Sequence, residues 1–170
     1  IALQEQLIEK DIPLFKEIFD APMHASIAKG RQRYICHARL YQKEWQEDFL
    51  TDDKVRQKLQ AALEKRSWKG DRDQLSFSVP HSEWQKYTTD SAGCSGKQCE
   101  FFEDCAFFKA KKKMHQCDVV VTNHSLLLSE LELGMGTLLP ELDKAILIID
   151  ECHHLPTKAL DHFAKSASIM

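Results

Sequence analysis

Thirteen residues, "GCSGKQCEFFEDC" (93–105), hold three cysteines spaced Cys94-x4-Cys99-x5-Cys105. No other stretch limits the fold so tightly. Thiols this close either bond to each other or share a ligand. The chain has six cysteines and shows no secretory h-region. Under reducing conditions clustered thiols bind metal more often than they form disulfides. Zinc ribbons favour a tight C-x2-C chelate around one ion. Gaps of four and five residues give the chain room to wrap a larger object, and four thiolates suffice for a 4Fe–4S cluster. The run supplies three ligands, so a fourth is sought elsewhere.

The 170 residues suit one domain of ordinary size, or one domain with an insertion. At 43% hydrophobic and 29% charged, the composition is that of a soluble globular protein, and no run approaches transmembrane length. The formal net charge of −3 excludes no partner class, since nucleic acids need only a local basic surface. Ile1 stands where a start methionine would and falls inside a helical pattern (Leu3, Leu7, Ile8, Ile12), so the sequence reads as a piece of something longer.

Periodicity supplies a coarse layout. Residues 1–10 read as a helix, and Asp11 as the cap of a second one running through Pro13 to about Phe19. "HASIAKG" (24–30) reads as a short strand. Thr51-Asp52-Asp53 opens a helix with Val55, Leu59, Ala62 and Leu63 on one face and Lys65 and Arg66 in its last turn. Residues 69–93 read as loop, with at most a short helix near Trp84. Phe102, Ala106, Ala110 and Met114 repeat at helical spacing. From 118 the character changes: "DVVVTN" is a strand, "HSLLLSELEL" a helix, and "AILIID" (145–150) a strand buried on both faces, as in a parallel sheet.

That last strand ends in Asp150-Glu151. At the carboxyl edge of a parallel sheet, where open α/β folds bind ligands, such carboxylates can hold Mg²⁺ against nucleotide phosphates and orient a water. The plainer reading is a pair of acidic residues that ends a strand or opens a helix. Apolar run plus Asp-Glu does not separate the two, but Asp-Glu-x-His favours the first.

At this point "DECHH" (150–154) resembles the DEAH box of superfamily 2 helicases, with Cys152 in place of alanine. "DVVVTNHSLLL" (118–128) resembles the segment upstream of that box in the iron–sulfur helicases of the DinG/XPD group. "ALQEQLIEKDIP" (2–13) is similar to their motif Ia region, and "KGRQRYIC" (29–36) to the stretch holding their first cluster cysteine. The similarity spans nearly the whole chain and is greatest toward the bacterial DinG and YoaA branch.

The resemblance implies an α/β fold. Residues 1–30 and 117–170 would be two parts of a RecA-like parallel-sheet motor domain, and 31–116 an inserted, mostly helical iron–sulfur domain. It implies Cys36 as the fourth ligand beside Cys94, Cys99 and Cys105, with a 4Fe–4S cluster as cofactor. Cys117 and Cys152 read as small hydrophobes, and Phe101, Phe102, Phe107 and Phe108 as packing around the cluster. Asp150 would bind Mg²⁺, Glu151 would act on the attacking water, and His153 would couple hydrolysis to DNA. The parent would be an ATP-dependent, 5′–3′ DNA helicase of the bacterial cytoplasm, acting on single-stranded and forked or branched DNA in repair or replication, with no membrane partner. No G-x-x-x-x-G-K-[ST] occurs, so this stretch alone is expected to be inactive.

Arg31 and Arg33, and on the helix after Cys105 the residues Lys109, Lys112 and Lys113, form basic stretches beside the proposed ligands. Such a surface suits single-stranded DNA. A solvated lysine face is the plainer reading of charge alone. A reading from a different class also stands: a non-enzymatic zinc module with four cysteine ligands, in which "DECHH" merely opens a helix.

Overall fold

The computed structural model describes residues 2–41, 54–134 and 136–164. In chain order its helices and strands are α1 (Ala2–Gln6), α2 (Ile12–Phe19), β1 (Ala25–Ile27), α3 (His37–Tyr41), α4 (Lys54–Glu64), α5 (His81–Lys86), α6 (Ala106–Met114), β2 (Val119–Val121), α7 (His124–Leu133) and α8 (Leu155–Phe163). The chain divides into two compact units, one of residues 1–29 with 111–170 and one of 30–110. The result is a mixed helix and strand protein with a small parallel sheet. Among the described residues no helix is long and apolar enough to cross a membrane.

In the first unit α1 and α2 are not two capped helices. A π-helical turn, Leu7–Asp11, joins them, and Asp11 stays in the helical region with no side-chain cap bond. The extra residue of the π turn lets the helix run on, so the carboxylate has no helix start to cap. β1 pairs in parallel with β2, Ser26 opposite Val120. His24 donates its N–H to Asp118 Oδ2 at 2.8 Å, and Asp118 N–H returns to the His24 carbonyl. A parallel pair needs a crossover, and here it is the whole of 28–118. Ala28, Met114, Leu127 and Leu139 form the small core of this unit.

The buried strand expected at 145–150 is absent. Among the described residues the sheet has two strands, β1 and β2, and 145–150 joins neither. Ile146 is 93% exposed and Ile148 86%, while Ile149 packs on the core. The run has the composition of an inner strand, but such a strand forms only where neighbours accept its backbone bonds on both edges.

The second unit is built on Trp84, Ile35, Leu40 and Leu59, all at or near complete burial, with Trp68 edge-on to Trp84 at 6.2 Å. Both indoles are satisfied by carbonyls: Trp84 Nε1–H donates to Gln32 and Trp68 Nε1–H to Asp71. Leu59 of α4 is buried, and Val55, Ala62 and Leu63 pack beside it, as the helical spacing predicts. The proposed opening at 51–53 lies outside the described residues. At the other end α4 stops at Glu64, and Arg66 takes a left-handed turn (φ 53°) instead of extending the last turn. The segment 34–36 is held from two sides: Ile35 N–H donates to the Gly70 carbonyl and Cys36 N–H to that of Tyr87. That double hold positions the first cysteine.

Candidate metal centre

Cys36 lies immediately before α3, and its carbonyl accepts from Leu40 N–H in the first helical bond. Cys105 stands in the same relation to α6, accepting from Lys109 N–H. The helix expected from Phe102 therefore begins four residues later, at Ala106. Cys94 and Cys99 flank a 3-10 turn, Gly96–Gln98. Gly96 takes φ 59° there, a conformation that suits a residue without a Cβ. All four thiols line one pocket together with Arg31, His37, Phe101, Phe102, Phe107 and Phe108. All six cysteines are free thiols.

The pocket has few polar groups. Arg31 Nη1 donates to Cys94 Sγ at 3.0 Å, and Gly96 N–H to the same sulfur at 3.4 Å. Burial pushes the Cys36 thiol up, and its neighbours Cys105 and Cys99 add to this, against backbone N–H groups of Arg39 and Ala38 that favour the thiolate. Burial holds the His37 imidazole below its ordinary value, and its Nδ1 is buried with no hydrogen-bond partner. Its ring stacks with those of Tyr41 and Phe101, at centroid distances of 6.4 and 6.1 Å. Four thiols, an aromatic wall, a guanidinium aimed at sulfur and an orphaned imidazole nitrogen fit a thiolate-bound metal group.

The basic residues take different places. Arg31 lies over the Phe107 ring at 4.1 Å and turns into the pocket. Arg33 is in close ion-pair contact with Asp73. Lys109 Nζ pairs with Asp104 Oδ1 at 2.8 Å and holds that carboxyl below its usual range. Lys112 and Lys113 are exposed on α6 and belong to the first unit, whereas the other three belong to the second.

The acidic box follows the exposed apolar run. Glu151 takes a left-handed conformation (φ 51°) and donates its N–H to Asp150 Oδ1 at 2.9 Å. His124 Nε2 lies 3.0 Å from the Asp150 carbonyl, and His153 Nδ1 3.3 Å from Glu151 Oε2. Glu151, His153 and His154 each bring a donor atom within 4.8 Å of the other two, all exposed. Cys152 is exposed, and Cys117 is half-buried. A 3-10 turn, Cys152–His154, leads from the box into α8.

Residues 20–169, all four pocket cysteines and the acidic box among them, match the sequence pattern of the DEAD_2 family. The chain belongs to the DEAD_2 family. It is 36% identical over 181 residues to the ATP-dependent DNA helicase DinG of Photobacterium profundum. It is 32% identical over 185 residues to the proteins of that name from Escherichia coli and Salmonella typhimurium. Each alignment covers 99% of this chain, which spans about a quarter of the length of these relatives. Two residues of this DEAD_2 chain escape sequence reasoning. Glu130, fully buried, accepts N–H bonds from Thr137, Leu138 and Leu139. Its only signal is a carboxylate inside an apolar helical run. Arg31 reads in sequence as a candidate DNA contact, and its turn into the cysteine pocket is the part that sequence reasoning misses.

Proposed function

We propose that this DEAD_2 chain is the cluster-bearing part of an ATP-dependent DNA helicase, with a 4Fe–4S cluster held by Cys36, Cys94, Cys99 and Cys105. The observation that carries this is the meeting of four free thiols in one pocket, from segments nearly sixty residues apart. Tetrahedral zinc would draw its sulfurs to roughly 3.8 Å of one another, given Zn–S bonds of about 2.3 Å. Among the described residues no three of these thiols lie within 4.8 Å of each other, which favours a larger group over the four-cysteine zinc module.

When bound, the cluster supplies a cross-link between distant segments and a one-electron couple. The protein's own residues do the rest. Phe101, Phe102, Phe107 and Phe108 keep water from the sulfurs, and Arg31 fixes Cys94. In the RecA-like motor we assign to 1–30 and 117–170, the run 145–150 becomes an inner strand once further strands lie beside it. Its bare isoleucines are what supports this. Asp150 would then hold Mg²⁺, Glu151 orient water against the nucleotide, and His153 relay hydrolysis to DNA. We assign 31–116 as the inserted domain, 5′–3′ movement on single-stranded or forked DNA as the activity of the whole protein, repair or replication as its setting, and the bacterial cytoplasm as its location. Arg31, Arg33 and Lys109 belong to the same basic stretches, but their partners within the chain leave Lys112 and Lys113 as the better DNA contacts.

Metal analysis of anaerobically purified protein tests the centre. Iron with acid-labile sulfide is the expected result, lost in single Cys→Ser variants at the four positions and kept at Cys117 and Cys152. Stoichiometric zinc without sulfide would establish the other reading.

A further inference from the structure

The pocket contains a charge that ordinary surface logic does not explain. Among the described residues Arg31 is the one fully ionised side chain lining it, and no carboxylate lines it with Arg31. Two cations nearby are matched by acids, Arg33 by Asp73 and Lys109 by Asp104. Arg31 is instead gripped by apolar rings, Phe107 at 4.1 Å and Phe108 at 5.3 Å, with its Nη1 at 3.0 Å from Cys94 Sγ. A guanidinium in an apolar pocket is stabilised only by negative charge or by ring faces. The ring faces are present here, and the sulfurs are the pocket groups that would bring negative charge on holding a metal group.

We propose that Arg31 is a positioning residue for the metal group, fixing the Cys94 sulfur and stabilising the more negative, one-electron-reduced state of the cluster. This rests on the cluster reading above. A four-thiolate 4Fe–4S centre is anionic when oxidised and gains one more negative charge when an external reductant delivers an electron. A fixed cation and a hydrogen bond to a ligand sulfur favour the added charge, and such contacts are among the levers that set reduction potential. Phe107 and Phe108 hold the lever on one side. They flank the guanidinium, and being planar it gains from stacking where an ammonium would not.

The test is a dithionite titration of the cluster-loaded chain, followed by electron paramagnetic resonance of the reduced state, with Arg31→Gln and Arg31→Lys compared. Arg31→Gln removes the charge and keeps a donor. It is expected to shift the oxidised-to-reduced ratio at fixed potential about tenfold toward oxidised, a lowering of ~59 mV for one electron. Arg31→Lys keeps the charge and should shift the ratio less than about threefold. An unchanged potential in the Gln protein would overturn the proposal, as would a Lys protein shifted as far as Gln, since packing and not charge would then be responsible. Should the Gln protein retain no cluster, Arg31→Lys decides: loading at the parent potential supports the proposal, and failure to load or a shifted potential overturns it. If the parent chain itself carries no iron and sulfide, the cluster reading fails before Arg31 is tested.

Discussion

Glu130 is the most heavily committed side chain in the first unit. Its carboxylate is out of water, yet both oxygens are occupied by backbone N–H groups of the 137–139 turn. Hydrogen bonds to a charged acceptor are worth more than neutral ones, and an N–H left bare in the interior costs about 1–3 kcal/mol. Glu130→Ala is therefore expected to lower stability by roughly 2–4 kcal/mol, seen as a fall in the urea midpoint at unchanged slope. Glu130→Gln keeps one acceptor oxygen and should cost less than half as much. An Ala variant within error of the parent would mean that the turn opens to water and Glu130 is dispensable. Asp118 offers a milder case. The His24 N–H that it accepts, bonded at the mouth of the β1–β2 pair, holds its carboxyl below the ordinary range. A depressed folded value contributes stability above the unfolded value and loses it as pH falls through the folded one. Protection factors at Ser26 and Val120, taken relative to the unfolded amide at each pH, should accordingly fall from pH 6 to pH 3, and Asp118→Asn should remove the pH effect. Equal protection at both pH values would exclude the link.

At the scale of elements, Gly70 decides how closely α6 approaches the first cysteine. It takes φ 90°, and an added Cβ would lie 2.5 Å from Ala106 Cβ and 2.9 Å from Ile35 Cγ2. Neither neighbour is the free end of a flexible chain, so α6 or the 34–36 segment must move. Gly70→Ala is expected to cost about 2–4 kcal/mol and to lower iron loading, because Cys36 follows Ile35 and Cys105 precedes Ala106. Gly30→Ala is the control, with φ −60° and nothing within 4 Å. Thermal melts and iron content of the two variants check this; equal losses would show that neither contact nor backbone shape matters at Gly70. What the sequence reveals of these elements follows from range. The helical spacing in 54–64, the apolar triplet 119–121 and the apolar run of α7 act over a few residues and are legible. Ile146 and Ile148 are not, because a strand's identity depends on edges supplied by other segments. The cysteine spacing announces a shared ligand. Which side chain faces a sulfur depends on how Phe107 and Phe108 direct Arg31, and no local pattern encodes that.

Over the molecule as a whole, the cluster would join Cys36 to Cys94, Cys99 and Cys105 and so close a long loop containing α3, α4 and α5. Cross-linking the unfolded chain over such a span removes entropy that folding would otherwise oppose, and metal bound only by the folded form adds its binding energy to stability. Removing the metal should loosen 31–110 far more than the β1–β2 pair, a contrast visible in hydrogen exchange. The proposed DNA surface rests on charge. Lys112 and Lys113 are exposed and lie at the end of a helix, where their long side chains can reach phosphates without unfolding anything. Phosphate contacts release counterions, so affinity falls with salt, by about 0.7 in the log–log slope per contact on single strands. Lys112→Glu with Lys113→Glu is expected to weaken binding to every single-stranded sequence alike and to flatten that slope by about 1.4, because such contacts read no bases. Fluorescence anisotropy of a labelled oligonucleotide across several salt concentrations measures both quantities. If the double variant kept the parent affinity and slope, these lysines would be a solvated helix face, and the path of the strand would lie on other residues.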